Sequence, residues 1–275
     1  MNKQEKNKRY VYFNDGKKHR LAFLEGLSAH ARLAIIWGTF CFLFTSFGIY
    51  LNKSYLAKRF FLMRFVSYIV IEGGVSVGLC AVCMFFQLPA TIVGKNKRTG
   101  IISTWIKVVF WLFYALSYGH LYVLDRIVRH REETAATEVF PRIWIGGRFS
   151  QDSIQNNPIS AVVDLTNEIN RLELSKGTEL YVSQPIWDGM APTVADVRSV
   201  VKRVVGSWDA SQGGMLVHCC FGRGRSTTLL CALLVELKYH DNWRDAYRHV
   251  KKLRPFVKMN ETMQDALIAY FSSRK

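Results

Sequence analysis

Val217-His-Cys-Cys-Phe-Gly-Arg-Gly-Arg-Ser226 is the stretch that decides the fold of this chain. It continues the apolar run Gly214-Met-Leu, and it leads into a leucine-rich segment that begins near Arg225. A short apolar run of this kind is typical of a buried central strand, and the leucine spacing after Arg225 is typical of a helix. The stretch therefore predicts a strand, a glycine-containing loop and a helix in direct succession.

The residues of this loop are suited to hold a phosphate group. Backbone N–H groups of a loop between a strand and a helix can all point inward at a dianion, and the helix N-terminus adds its positive end. The same field stabilises a thiolate at Cys219 and makes it a nucleophile. The Arg225 guanidinium can bind two phosphate oxygens. Gly222 and Gly224 permit the tight backbone path, and Ser226 can donate a hydrogen bond to the Cys219 sulfur.

His218-Cys219-x5-Arg225-Ser226 resembles the signature loop of the protein tyrosine and dual-specificity phosphatases. The run Cys-x-x-Gly-Arg-Gly-Arg-Ser-Thr-Thr is similar to the phosphatidylglycerophosphate phosphatase branch, and it also resembles the Gly-basic-Gly-Arg loop of phosphoinositide 3-phosphatases. The resemblance covers about Phe140 to the end of the chain. It implies phosphomonoester hydrolysis in two steps, without metal or cofactor, with Cys219 as nucleophile and Arg225 as phosphate clamp. The expected substrate-binding residues are Cys220, Phe221, Gly222, Arg223, Gly224 and Ser226.

These families also use an aspartate as general acid, some thirty residues before the cysteine. Trp187-Asp188-Gly-Met-Ala-Pro-Thr193 resembles the loop that carries it, so Asp188 is expected to protonate the leaving alkoxide and then to activate water. An Asp-Gly pair is also a common turn, which is the alternative interpretation of Asp188. Asp164 is a rival candidate at a strand end, where a structural role is expected.

One departure from the family pattern concerns the substrate. Cys220 and Phe221 stand where the lipid-phosphatase relatives usually have Lys and Ala. The loss of a positive charge at the pocket rim weakens the case for a multiply phosphorylated inositol headgroup. Arg223 keeps one basic group, which suits a second anionic phosphate in the substrate.

The first half of the chain is both basic and apolar. Residues 1–131 contain 19 Lys and Arg against 5 Asp and Glu, a balance of +14, whereas residues 132–275 contain 18 against 16, a balance of +2. Basic residues beside apolar runs suit anionic lipid headgroups, and the nearly neutral second half argues against nucleic-acid binding. Three runs are candidates for membrane spans, namely Leu33–Asn52, Phe65–Val93 and Ile101–Leu124.

The predicted sidedness of these spans is in conflict. With three crossings, the basic N-terminal tail and the catalytic half lie on opposite sides of the membrane. The positive-inside tendency favours the tail in the cytoplasm, and a reduced Cys219 favours the catalytic half there as well. Either one run does not cross fully or one preference is overridden.

The fold class predicted is α/β, a central sheet flanked by helices as in dual-specificity phosphatases, preceded by an all-α transmembrane region. The predicted organisation is a basic tail over 1–32, a membrane region over 33–124, a linker over 125–138 and a phosphatase domain over 139–275. The expected protein is an integral membrane phosphatase with its catalytic domain on the reducing, cytoplasmic side. A phospholipid substrate such as phosphatidylglycerophosphate is favoured over a phosphoprotein. A tethered protein phosphatase and a pseudophosphatase scaffold stay as alternatives, and the sequence does not define the oligomeric state.

Overall fold

A computed structural model describes residues 29–54, 58–123, 135–154 and 158–274 of the chain. The chain divides into two compact units. One contains the described residues between 29 and 123 together with Asn167–Asn170, and the other contains the remaining described residues from 135 onward. The predicted tail over 1–32 and linker over 125–138 lie mostly outside the described residues.

The described residues of the N-terminal unit are mainly helical, with an isolated β-bridge between Lys95 and Ile102. Its long helices are α1 (Ala29–Lys53) and α2 (Phe61–Phe85), and both are long and apolar enough to cross a membrane by length and composition. A 3₁₀ turn follows at Ala90–Val93, and two shorter helices complete the unit, α3 (Thr104–Val109) and α4 (Trp111–Val123).

The third predicted span is not a single helix. The run Ile101–Leu124 is broken at Phe110, which ends α3 after six residues and precedes α4. The described part of α4 rises about 20 Å over its thirteen residues. The second run is also shorter than its hydropathy indicates, because the helix ends at Phe85 before Pro89. Among the described residues, α1 and α2 are the two helices long and apolar enough to cross a membrane, and the prediction of about three spans stays a prediction.

Glycines let α1 and α2 approach each other closely. A methyl group at Gly78 would lie 2.6 Å from Cys41 Sγ, and one at Gly48 would lie 2.6 Å from Ile71 Cγ1. A methyl group at Gly74, four residues before Gly78, would likewise clash with Thr45. Small residues at this spacing are typical of helix pairs that pack in lipid, where close backbone approach replaces hydrophobic driving force.

The C-terminal unit is built on a five-stranded sheet in the order β1-β2-β5-β3-β4. The antiparallel pair β1–β2 forms one edge, and all other neighbours are parallel. The central strand β5 is buried along its whole length, because it has neighbours on both sides and helices packed against it. The strands are β1 (Thr137–Phe140), β2 (Ile143–Gly146), β3 (Ile159–Asp164), β4 (Leu180–Ser183) and β5 (Gly214–His218).

Helices alternate with the parallel strands. After the short helix α5 come α6, α7, α8 and α9, of which α7 follows β5 directly and packs against α6, α8 and α9. Helix α6 begins with a reciprocal capping box between Thr193 and Asp196. The bounds are α5 (Ser150–Ile154), α6 (Val194–Ser207), α7 (Arg225–Glu236), α8 (Trp243–Leu253) and α9 (Glu261–Ser272).

The predicted fold class is confirmed in its architecture, a mixed sheet flanked by helices and preceded by apolar helices. The strands β1 and β2 are joined by a turn at Pro141-Arg142, in which Arg142 has φ +67°. The strand predicted from the apolar run at 214–218 is present as β5.

Candidate active site

The nucleophile candidate lies where the sequence predicts it, in the loop between β5 and α7. Cys219 is 3% exposed, and its Sγ lies 3.3 Å from the hydroxyl oxygen of Ser226 in the first turn of α7. The Cys219 backbone N–H donates to the Gly146 carbonyl at the end of β2, at 3.3 Å. The end of the central strand and the start of the buried helix thus fix the position of the thiol between them.

Gly222 gives the loop its tight path. It has φ +64°, a left-handed conformation that side chains disfavour. A methyl group there would also lie 2.6 Å from the carbonyl carbon of Gly146. Backbone conformation and neighbouring strand therefore both require glycine, as the sequence predicts.

Arg225 is buried, with 1% exposure, and connects three elements. Its Nη1 donates to the Ile186 carbonyl at 2.8 Å and to the Leu165 carbonyl at 3.4 Å. Its Nη2 forms an ion pair with Asp188 Oδ1 at 2.8 Å. These bonds hold a charged planar group rigidly beside the Cys219 loop.

Asp188 therefore meets the loop through Arg225, and it also lies in a turn, as the alternative interpretation of its sequence position expects. Gly189 has φ +77°, and the Met190 N–H donates to the Trp187 carbonyl at 3.1 Å. The Asp188 side chain is 55% exposed, whereas Trp187 is buried beneath it. A half-exposed carboxylate on an anchored turn can exchange protons with water and with a bound substrate.

Asp164, the rival acid candidate, is fully buried and takes part in a structural network. Its Oδ1 accepts hydrogen bonds from the backbone and hydroxyl of Thr166, and its Oδ2 accepts one from the Tyr181 hydroxyl at 2.7 Å. Its Oδ1 also lies 3.7 Å from His218 Nε2. Burial, and then the Asp164 charge, raise the pKa of Tyr181 well above its ordinary value, so Tyr181 stays a proton donor to Asp164.

The predicted substrate-binding residues divide into two groups. Cys220 and Phe221 are buried, at 0% and 6% exposure, so a ligand in the loop meets their backbone groups. Arg223 is half-buried, and its guanidinium lies 5.9 Å from the centre of the Phe256 ring. Gly224 begins α7 as its N-terminal cap.

Three residues that the sequence did not assign to the site contact it. The Arg148 N–H donates to the Cys220 carbonyl at 2.9 Å, and Asn260 Nδ2 donates to the Gly189 carbonyl at 2.9 Å. Arg254 donates to two carbonyls of the loop. All three residues lie far from the loop in sequence, so the spacing within the loop does not indicate these contacts.

A thiol at a helix N-terminus, a buried guanidinium and a half-exposed carboxylate thus come together around one loop. This set can bind a phosphate, attack it and protonate its leaving group.

Comparison with known proteins agrees with this chemistry. Residues 145–273 match the family described as dual specificity phosphatase, catalytic domain. The human protein named dual specificity protein phosphatase 21 is 29% identical over 118 residues, which are 42% of this chain and 60% of that protein. Human dual specificity protein phosphatase 16 is 23% identical over 137 residues, 49% of this chain and 20% of that protein. The crystal structure of human DUSP28 is similar with a TM-score of 0.43 and 18% identity, over 50% of this chain and 94% of that one.

Fold, site and family match together support cysteine-dependent phosphatase chemistry in the C-terminal unit. The matched domain is a catalytic domain of the dual-specificity type, and the match accounts for residues 145–273 of the 275. The chain spans no more than 60% of the length of these two curated relatives, and the match leaves its N-terminal unit uncovered.

Proposed function

We propose that this chain is a membrane-anchored lipid phosphatase that hydrolyses phosphomonoesters, with phosphatidylglycerophosphate as the first substrate to test. The main observation in support of this chemistry is the position of the buried Arg225 guanidinium. It adjoins the Cys219 loop and forms an ion pair with Asp188 at 2.8 Å. Clamp, nucleophile and acid therefore belong to one site.

The proposed reaction has two steps. The Cys219 thiolate attacks phosphorus, the bond to the leaving oxygen breaks, and protonated Asp188 gives its proton to that oxygen. The Asp188 carboxylate then takes a proton from water, which attacks phosphorus and breaks the sulfur–phosphorus bond. Arg225 and the loop amides bind the equatorial oxygens in both steps, and the Ser226 hydroxyl stabilises the departing sulfur. Substrate phosphate replaces the Asp188 carboxylate on Arg225, which frees Asp188 for proton transfer.

A lipid substrate is supported by the apolar helices of the N-terminal unit. The most apolar part of α1 is only 11% buried. Large apolar side chains of α1 and α2, such as Phe42 and Phe61, are mostly exposed. An apolar surface of this extent needs cover, and a bilayer supplies it. Anchoring in the bilayer raises the effective concentration of lipid substrates at the site. Arg223 offers a positive charge beside the loop for a second phosphate of the substrate.

The test is phosphate release from phosphatidylglycerophosphate in mixed micelles by the purified full chain, with Cys219→Ser as control. Release that the substitution abolishes supports both the mechanism and the lipid class. Hydrolysis of an aryl phosphate that depends on Cys219, without release from this lipid, retains the enzyme class and rejects this substrate. No Cys219-dependent turnover of either rejects the proposal and favours a pseudophosphatase that binds phosphorylated ligands.

A membrane-tethered protein phosphatase is the second candidate. It is favoured by the names of the two human relatives, both of which are called dual specificity protein phosphatases. The two candidates share nucleophile, acid and clamp, so the choice lies in the substrate. A phosphopeptide panel assayed beside the lipid panel separates them, and turnover of phosphopeptides alone would decide for the protein substrate.

A further inference from the structure

Successive carbonyl groups of the Cys219 loop all receive hydrogen bonds. The Cys220 carbonyl accepts from the Arg148 N–H at 2.9 Å, and the Arg223 carbonyl accepts from the Lys258 N–H at 3.1 Å. Between them, the Phe221 and Gly222 carbonyls both accept from the Arg254 side chain. Arg254 is thus the side chain that binds the two middle carbonyls of the loop.

The Arg254 guanidinium is held in a fixed plane. Its Nε donates to the Gly222 carbonyl at 2.9 Å and its Nη2 to the Phe221 carbonyl at 3.1 Å, while Nη1 donates to the Thr137 hydroxyl at 3.0 Å. Arg254 is 1% exposed, and its guanidinium carbon lies 4.7 Å from the centre of the Phe256 ring. Lysine cannot reproduce this pattern, because one ammonium group cannot donate in parallel from two fixed nitrogens.

Fixing a carbonyl also fixes the next N–H. The described peptide bonds are all trans, so each N–H points opposite to the carbonyl of the same planar group. Holding the Phe221 carbonyl therefore directs the Gly222 N–H away from Arg254, and holding the Gly222 carbonyl does the same for the Arg223 N–H. In loops that bind a dianion through backbone N–H groups, the N–H groups face the interior, which is then on the side opposite to the carbonyls.

We propose that Arg254 is a positioning residue that orients the Gly222 and Arg223 amides toward bound phosphate. Arg225 would bind phosphate directly, whereas Arg254 acts on it through the loop backbone. This inference rests on the proposed function only in that the loop binds a phosphate or another tetrahedral oxyanion. It assigns oxyanion affinity to a residue outside the Cys-x5-Arg loop.

The experiment measures tungstate affinity of the full chain by calorimetry, together with kcat and KM for an aryl phosphate. Arg254→Lys keeps the charge but not the paired donors, and Arg254→Met removes both. We expect the tungstate Kd to rise about tenfold for Arg254→Lys and more for Arg254→Met, since hydrogen bonds from charged groups are lost and two amides lose their orientation. We also expect kcat to fall.

Two matched controls separate orientation from simple stability. Thr137→Val removes the Arg254 bond that does not reach the loop, and Arg142→Lys alters an arginine that donates to the Ala210 and Ser211 carbonyls elsewhere in the domain. Both should bind tungstate within about twofold of wild type, as expected for single contacts outside the loop.

The outcomes are distinct. A tungstate Kd that stays within twofold of wild type in both Arg254 variants, even with a lower Tm, overturns the positioning role. If Arg254→Met does not fold, Arg254→Lys alone decides in the same way. Wild-type protein that binds tungstate without hydrolysing any phosphomonoester rejects the proposed function and leaves the Arg254 comparison intact. Wild-type protein that does not bind tungstate overturns both.

Discussion

Asp188 is the residue whose proposed role depends most on the substrate. A carboxylate that protonates the leaving oxygen matters most when that oxygen is strongly basic, as in an alkyl phosphate. We expect Asp188→Asn to lower kcat about 10²–10³-fold on phosphatidylglycerophosphate and much less on p-nitrophenyl phosphate, whose leaving group departs without protonation. Steady-state kinetics on the two substrates check this.

The matched control for Asp188 is Asp209→Asn. Asp209 also lies in a turn, where it accepts a hydrogen bond from the Ser211 N–H, and it has no contact with the loop among those described. Its replacement should leave both rates unchanged. An equal loss on both substrates in Asp188→Asn would show that Asp188 acts through Arg225 rather than as an acid.

His240 gives the catalytic domain a dependence on pH that is separate from catalysis. Its ring lies 5.2 Å from that of His249 and 5.5 Å from that of Phe140. Burial, and then the nearby His249, lower the pKa of His240 below its ordinary value, although Asp245 and Asp241 oppose this. The unfolded chain therefore binds a proton more readily, so the free energy of unfolding should fall as the pH drops below about 6.5.

Thermal unfolding of wild type and His240→Gln at pH 7.5 and pH 5.5 measures that contribution. The wild-type Tm should fall more between the two conditions than the variant Tm, because glutamine does not titrate. Equal falls would assign the acid sensitivity to other groups.

Among single residues, those of the loop were predictable and those around it were not. Cys219, Arg225 and Ser226 are close in sequence, so their spacing alone places them at one loop and helix start. Arg254 lies 32 residues from Gly222 in sequence. Arg148 precedes the loop in sequence and lies in the segment that follows β2. Their contacts depend on the order of strands in the sheet, which the sequence pattern does not define.

At the scale of elements, the N-terminus of α9 is connected to the turn that carries Asp188. Asn260 caps α9 by accepting from the Met263 N–H at 2.9 Å, and its Nδ2 donates to the Gly189 carbonyl at 2.9 Å. Asn260→Asp keeps the acceptor and loses the donor. We expect it to lower kcat roughly three- to tenfold with little loss of stability, because aspartate caps helices as well as asparagine does but cannot hold the turn.

The control for this connection is a pair of alanine variants. Asn260→Ala and Asn242→Ala each remove a helix cap, at α9 and α8 respectively, and each should cost about 1 kcal/mol of stability. Asn260→Ala alone should also lower kcat. Equal kcat values in the two variants would show that the contact with Gly189 has no part in positioning Asp188.

Secondary structure was predictable where polarity or turn residues mark the ends of an element. The start of α6 is marked by its capping residues, Thr193 and Asp196. The bounds of β5 and α8 follow from apolar periodicity. The break at Phe110 was not predictable, because its neighbours are as apolar as those within a continuous span. Hydropathy shows that a segment avoids water and does not show where its backbone turns.

At the scale of the whole molecule, two crossings, by α1 and α2, would remove the conflict that three crossings create. An even number of crossings puts the N-terminal tail and the catalytic domain on the same side of the membrane. Residues 1–32 carry 8 Lys and Arg, whereas the short segment between α1 and α2 carries Lys58 and Arg59. The positive-inside tendency then favours a cytoplasmic tail, and the same side supplies the reducing conditions that a Cys219 thiolate requires.

We therefore expect tags at the N- and C-termini to face the same, cytoplasmic side. In sealed vesicles with the cytoplasmic face outward, added protease should remove both tags, and a membrane-impermeant thiol reagent should fail to label a cysteine placed at Ser54. In vesicles of the opposite orientation, both tags should be protected and the cysteine at position 54 should react.

Protection of only one tag would indicate an odd number of crossings, in which the run Ile101–Leu124 also crosses the membrane despite its break at Phe110. Release of the protein from membranes by alkaline carbonate would instead show that α1 and α2 pack within a protein assembly. In that case, anchoring in the bilayer would no longer support a lipid substrate.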